Sequence, residues 1–101
     1  MSTKYILVNG EPQPCEDLLT WAQWFEASSE EHIVAQDAVG KVLVSTVFLG
    51  LDHSFGRGEA LLFETMIFSG EHDQYQERYS TREAALEGHA KALKLVTAGR
   101  A

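Results

Sequence analysis

The chain has one cysteine, two prolines and no long hydrophobic run. Cys15 alone cannot form an internal disulfide bond or a cage of thiolates around a metal ion, and a chain without disulfides is typical of a reducing compartment. No segment approaches the ~18 apolar residues of a membrane span. The apolar run near the N-terminus is too short for a signal peptide. These absences predict a soluble protein of the cytoplasm.

Basic residues are also few. Eight lysines and arginines stand against fifteen aspartates and glutamates, which gives a net charge of −7, and the basic residues are scattered along the chain. Nucleic-acid binding normally requires a basic patch that displaces counterions from phosphate. The composition therefore predicts no nucleic-acid partner and no anionic membrane partner. An acidic surface keeps a domain soluble, or meets a basic protein surface.

Apolar material is plentiful. Of the 101 residues, 45% are hydrophobic and 10% aromatic, enough for one core in one domain over residues 1–101. Residues 4–8 predict a strand, and Asn9-Gly10 is a strong hairpin signal. Residues 11–14 form a return arm that must be a sheet edge or a loop, because its two prolines lack N–H donors.

Two helices are predicted by apolar spacing. The first carries Leu18, Trp21, Ala22 and Phe25 on one stripe and ends at 27–29. The second follows a capping box with Ser80 as N-cap and Glu83 at the third helical position, and Gly99 is its expected stop. Between them, segments 32–37, 42–49, 61–68 and 75–79 predict strands. The fold class is α+β: an antiparallel meander of four to six strands with two helices, in the order β-α-β-β-β-β-α.

The two central strands are apolar on both faces. An antiparallel sheet with one face in solvent should alternate apolar and polar residues, and neither 42–49 nor 61–68 does. Either one helix covers each face, or both helices pack on one face and the other face requires a partner. We favour the second arrangement, and with it a homodimer.

The loop at residues 50–59 joins these strands and is longer than a hairpin requires. It contains Asp52, His53, Phe55 and Arg57, and loops held by rigid strands concentrate binding residues. In a meander, the start of strand 32–37 and the Tyr79 end of the last strand lie at the same end of the sheet. The candidate binding residues are Asp52, His53, Phe55, Arg57, Tyr79 and Arg82. The alternative is a purely structural loop that packs Phe55 as its own plug.

Enzymatic chemistry has weaker support. No metal-binding spacing is present among the four histidines, and we predict no cofactor, no metal and no catalytic residue. A buried His89 hydrogen-bonded to a strand backbone or to Glu64 is the ordinary interpretation. A small enzyme or ligand-binding protein that uses the Asp52-His53 loop or a Glu64–His89 pair stays open as an alternative. A self-associating structural protein is the other.

Four stretches carry a resemblance to known proteins: DLLTWAQWFE (17–26), VSTVFLGLDHSFG (44–56), LLFETMIFSG (61–70) and RYSTREAALEGH (78–89). They resemble an uncharacterised family of proteins of about this length, found in bacteriophage, prophage and bacterial genomes. The resemblance implies a phage origin and a place of work in the bacterial cytoplasm, and it implies no activity. The leading hypothesis is a small non-catalytic binding module that acts through protein–protein contact, for example as an inhibitor of a host or defence protein.

Overall fold

The computed structural model describes residues 3–98 and confirms the α+β class, with two helices and two antiparallel sheets. The strands and helices follow one another in the order β1 (Tyr5–Val8), β2 (Glu11–Pro14), α1 (Leu18–Ala27), a short 3-10 helix (Ser29–His32), β3 (Ile33–Val39), β4 (Val42–Phe48), β5 (Phe63–Phe68), β6 (Gln76–Tyr79) and α2 (Arg82–Ala98).

The predicted N-terminal hairpin forms a sheet of its own. Strands β1 and β2 pair antiparallel from Val8↔Glu11 to Tyr5↔Pro14. Both turn residues, Asn9 and Gly10, have positive φ (53° and 82°), as a tight two-residue turn that matches the strand twist requires. The arm with two prolines is therefore a true strand, and it is an edge.

Strands β3 to β6 form a four-stranded antiparallel meander in sequence order. Its register is fixed by pairs such as Val39↔Val42, Phe48↔Phe63 and Phe63↔Tyr79. A bulge lies near the start of β3. The meander confirms the predicted topology, while the strand bounds differ from the predicted ones by one or two residues.

Helix α1 begins one residue after Asp17, whose carboxylate accepts a hydrogen bond from the backbone N–H of Thr20 at 2.9 Å and caps the helix. Leu18, predicted to lie on the buried stripe, is instead 66% exposed. That part of the prediction is wrong because the helix leans on the rest of the protein through its second and third turns. There the side chains of Trp21, Trp24 and Phe25 are partly buried.

Helix α2 has its N-cap one residue later than predicted. The Thr81 hydroxyl accepts from the backbone N–H of Ala84 at 3.1 Å, so Thr81 and not Ser80 caps the helix. The predicted C-terminal stop, Gly99, lies outside the described residues. The buried face carries small residues and one histidine: Ala85, Gly88, His89, Ala92 and Val96.

Both helices pack on the same face of the four-stranded sheet. Helix α2 contacts all four strands, and its His89 bonds Thr46 on β4. Helix α1 reaches the same side, because the Trp24 ring meets Phe48 edge-on at 6.0 Å, and Phe48 shares a face with Thr46 two residues away. The predicted packing of both helices on one sheet face is therefore confirmed, and the opposite face lacks a helix within residues 3–98.

His32 lies among aromatic rings where α1 meets this sheet. Its ring centroid is 4.3 Å from that of Phe25, 5.1 Å from Trp24 and 6.5 Å from Phe48. Its Nε2 is buried without a hydrogen-bond partner in the described structure. Burial lowers the pKa of His32 below its ordinary 6.5, and the negative charge of Glu31 opposes that shift only in part.

A pH dependence of stability follows from His32. Because its pKa is lower in the folded state, the unfolded chain takes up a proton first as the pH falls. This contribution to stability is full above pH 6.5 and is lost progressively below it. The melting temperature of His32→Phe, relative to that of the natural chain, should therefore rise when the pH is lowered from about 7.5 to about 5. A difference that stays constant with pH would contradict the assignment.

Candidate functional site

The long loop between β4 and β5 lies at the end of the sheet where the sequence predicted a site. The start of β3, the Tyr79 end of β6 and the first turn of α2 are at this same end, as the pairs Ile33↔Val47 and Phe63↔Tyr79 show. The base of the loop is closed by a hydrogen bond from the backbone N–H of Leu49 to the carbonyl of Leu62 at 2.7 Å.

Asp52 fixes the shape of the loop from inside. Its Oδ1 accepts hydrogen bonds from the backbone N–H groups of Ser54 at 2.7 Å and Leu61 at 3.0 Å. The N–H of His53 donates to the carbonyl of Leu61 at 3.0 Å. One carboxylate thus joins the outgoing and returning arms of the loop, which is the role of aspartate in such turns.

The ionisation of Asp52 follows from these contacts. Desolvation is the largest single influence on its pKa and raises it. The hydrogen bonds from Ser54 and Leu61, together with the neighbouring His53, outweigh that influence and leave the pKa lowered. The carboxylate is therefore charged at neutral pH, the form that accepts both backbone hydrogen bonds.

Phe55 stands at the tip of the loop with its side chain in solvent. It is 83% exposed, and its backbone has φ of 55°, a left-handed conformation that costs a bulky residue energy. The His53 ring meets it edge-on, with centroids 6.3 Å apart. The alternative in which Phe55 plugs the loop is wrong, because the small side chain of Ser54 occupies the buried position instead.

The remaining candidate residues are distributed differently. Arg57, like Phe55, is exposed in the loop. Tyr79 directs its ring toward α2, where its hydroxyl is buried close to the Cα of Gly88, and burial is the main reason that its pKa is raised. Arg82 is the first residue of α2. The loop therefore gathers Asp52, His53, Phe55 and Arg57, while Tyr79 serves the packing of α2.

His89 is buried as predicted, but its partners are neither a strand backbone nor Glu64: it belongs to a series of hydrogen-bonded side chains that the sequence analysis missed. His89 bonds Asp37 Oδ2 through Nε2 at 2.8 Å and Thr46 Oγ1 through Nδ1 at 2.7 Å. Thr46 Oγ1 in turn bonds Thr65 Oγ1 at 2.5 Å. The series runs from the inner face of the sheet, through α2, to the exposed edge strand β3. The sequence signal was a threonine in each of two apolar strands, which becomes informative only when the register pairs Thr46 with Thr65.

In this series of hydrogen-bonded side chains a hydroxyl, an imidazole and a carboxylate follow one another, the order that nucleophilic enzymes use. Thr46, however, has no exposed surface. Its side chain points from β4 toward α2, so a substrate has no path to its hydroxyl. Every group in the series has a partner, as stable buried polar networks require. The arrangement therefore holds α2 on the sheet and supports no catalytic role.

Glu64 and His89 do not meet. Glu64 lies on the opposite sheet face from Thr65, its neighbour in the chain. Its Oε2 accepts from Arg78 Nε at 2.9 Å and from Gln76 Nε2 at 2.5 Å. The proposed Glu64–His89 proton-transfer pair is thus excluded by the sheet itself.

Residues 3–98 contain no group of three or more histidine, cysteine, aspartate or glutamate side chains placed to hold a metal ion. Neither α1 nor α2 combines the length and apolar character that crossing a membrane requires. Comparisons of the chain with protein-family models, with curated proteins and with solved structures gave no match.

Proposed function

We propose that the protein is a non-catalytic binding module that contacts another protein through the loop at residues 50–59, with Phe55 as the anchor. The observation that carries this proposal is an aromatic ring 83% exposed on a loop with fixed internal hydrogen bonds. Phe55 meets only the ring of His53 and is not part of either hydrophobic cluster of the core in the described structure. Backbone strain of the kind that its left-handed conformation imposes is concentrated at ligand contacts and switches.

The loop is suited to binding because folding has already ordered it. Ordering a loop at an interface costs binding free energy, and here Asp52 fixes both arms before any partner arrives. A phenylalanine ring has two side-chain torsions, so its immobilisation costs little entropy relative to the area that it buries. Aromatic anchors surrounded by weaker polar contacts are the usual structure of a binding hot spot.

The chemistry of the loop defines the partner. Phe55 requires an apolar pocket, and Arg57 and Glu59 beside it are exposed and suit a polar rim. The net charge of −7 repels nucleic acid and anionic membranes and attracts a basic protein surface. The partner that fits is a protein with an apolar pocket in a basic surround, and its association should weaken as salt is added.

The resemblance to phage and prophage proteins gives the proposal its setting. A small binding module of that origin acts in the cytoplasm of the bacterial host, on a host or defence protein. This step is analogy, since the same fold can serve many roles. The enzymatic alternative is less favoured, because Asp52 is engaged with backbone N–H groups and His89 with buried hydroxyls.

The test is a comparison of captured proteins. The natural chain and Phe55→Ser are immobilised and exposed to bacterial lysate, and the bound proteins are quantified by mass spectrometry. We expect a protein held by the natural chain to fall by about 10-fold or more with Phe55→Ser, because truncating an aromatic hot spot costs about 2 kcal/mol or more. The melting temperature should change little, as at other exposed sites.

Leu86→Ser is the matched control, since Leu86 is also a large exposed apolar residue but lies on α2. It should retain the captured protein. The double variant His53→Ala/Arg57→Ala should weaken capture without loss of stability. A set of bound proteins that is the same for the natural chain and for Phe55→Ser would refute the proposal.

A further inference from the structure

The four-stranded sheet has a face that neither helix covers in the described structure. The alternation of the strands places eleven side chains there: Ile33, Gln36, Ala38, Leu43, Ser45, Val47, Glu64, Met66, Phe68, Gln76 and Arg78. We call this set the open face. Ile33 and Phe68 are exposed at 44% and 42%, and Leu43 pairs directly with Phe68 across the strands.

The open face is electrically neutral in a strongly acidic protein. Glu64 and Arg78 are its only charged residues among those that β3 to β6 place there, and they neutralise each other at 2.9 Å. The other charged residues of these strands, Asp37 and Glu77, pair with Val44 and Thr65 and thus belong to the helix side. The whole net charge of −7 is therefore carried outside the open face.

We propose that a second copy of this chain packs on the open face, so that two sheets stack face to face. Two copies that each carry −7 repel one another on most of their surface, and like charges brought together are costly. Packing through the neutral open face avoids this electrostatic repulsion. The open face also offers apolar side chains for burial, and its polar side chains are already paired with one another, Gln36 with Ser45 and Gln76 with Glu64.

The face is complementary to itself. A two-fold axis along the strands, between β4 and β5, places β4 of one copy over β5 of its partner. Leu43 of each copy then lies over Phe68 of the other, as an isologous interface requires. Such stacked sheets lie about 10 Å apart, a separation that leucine and phenylalanine side chains fill.

The area of the open face limits how tightly two copies can bind. The four strands are four to seven residues long; at about 4.8 Å between strands and about 3.3 Å per residue they present a footprint of roughly 400 Å² per copy. That is about half of the ~800 Å² per partner in a stable standard interface. The dimer should therefore be weak and should form only at high protein concentration.

Sedimentation velocity over protein concentrations from about 1 µM to about 1 mM tests this proposal. The natural chain should shift from monomer to dimer over that range. Phe68→Glu and Ile33→Glu, each at an exposed position, should fold normally and raise the dissociation constant by about 10-fold or more, because they place like charges within the interface. Leu86→Glu, at a residue 47% exposed on α2, should dimerise like the natural chain.

Three outcomes would overturn the proposal: a natural chain that stays monomeric at the highest concentration, a dimer unaffected by both open-face variants, and a dimer weakened equally by Leu86→Glu. Phe55→Ser should leave the dimer intact. The dimer and the binding loop are therefore tested independently.

Discussion

Replacing Gly88 with alanine is expected to destabilise the protein by about 2–3 kcal/mol, although the same change inside a helix ordinarily stabilises by about 1 kcal/mol. A methyl group at this position would overlap the ring of Tyr79, which lies directly against the Cα of Gly88. Either α2 moves off the sheet or the ring leaves its place beside Phe63 and the core around it. Urea denaturation measures the difference.

The cause can be isolated with a second variant. In a Tyr79→Leu background, where the ring is absent, Gly88→Ala should be neutral or stabilising, and the difference between the two backgrounds is the interaction of the methyl group with the ring. A higher melting temperature for Gly88→Ala in the natural background would show that α2 does not approach β6 as closely as described.

His89→Ala is expected to lower the free energy of unfolding by about 3–4 kcal/mol. The change removes a buried ring and leaves a cavity under α2. It also deprives the Thr46 hydroxyl of one of its two partners, His89 Nδ1 at 2.7 Å, and leaves it with Thr65. For a domain of this size the melting temperature should fall by roughly 15–25 °C, which differential scanning calorimetry would measure.

Asp37→Ala is the matched control for the same chain of hydrogen bonds. The Asp37 side chain is 53% exposed, so water can replace it beside His89 Nε2, and the loss should be about 1 kcal/mol or less. Thr46→Val, which keeps the volume but removes a buried hydroxyl, should fall between the two at about 2 kcal/mol. Equal losses for Asp37→Ala and His89→Ala would mean that the buried end of the chain is not what secures the helix.

Much of the fold was predictable because its signals are local. Asn9-Gly10 specified a hairpin, and apolar spacing specified the two helices. The double-sided apolar character of 42–49 and 61–68 favoured two helices on one sheet face, and Trp24 and His89 confirm that arrangement. The homodimer inferred from the same pattern stays a prediction.

What the sequence could not supply depends on contacts distant in the chain. The partner of His89 across the sheet is Asp37, 52 positions away, and no short-range pattern connects them. The exposure of Leu18 depends on where α1 meets the hairpin and not on its helical spacing. Phe55 was recognised as a candidate, but whether it filled the loop or stood outside depended on Ser54 taking the interior.

Gly50 connects the loop at residues 50–59 to the first hairpin and the first helix. Its carbonyl accepts hydrogen bonds from the Tyr5 N–H at 2.9 Å and from Trp21 Nε1 at 3.0 Å. A side chain at Gly50 would come within 2.6 Å of the Phe25 ring. One peptide group at the foot of the loop thus joins the first hairpin and the first helix to β4. A pulling force on Phe55 is therefore transmitted through this peptide group, and both the N-terminal hairpin and the four-stranded sheet resist it.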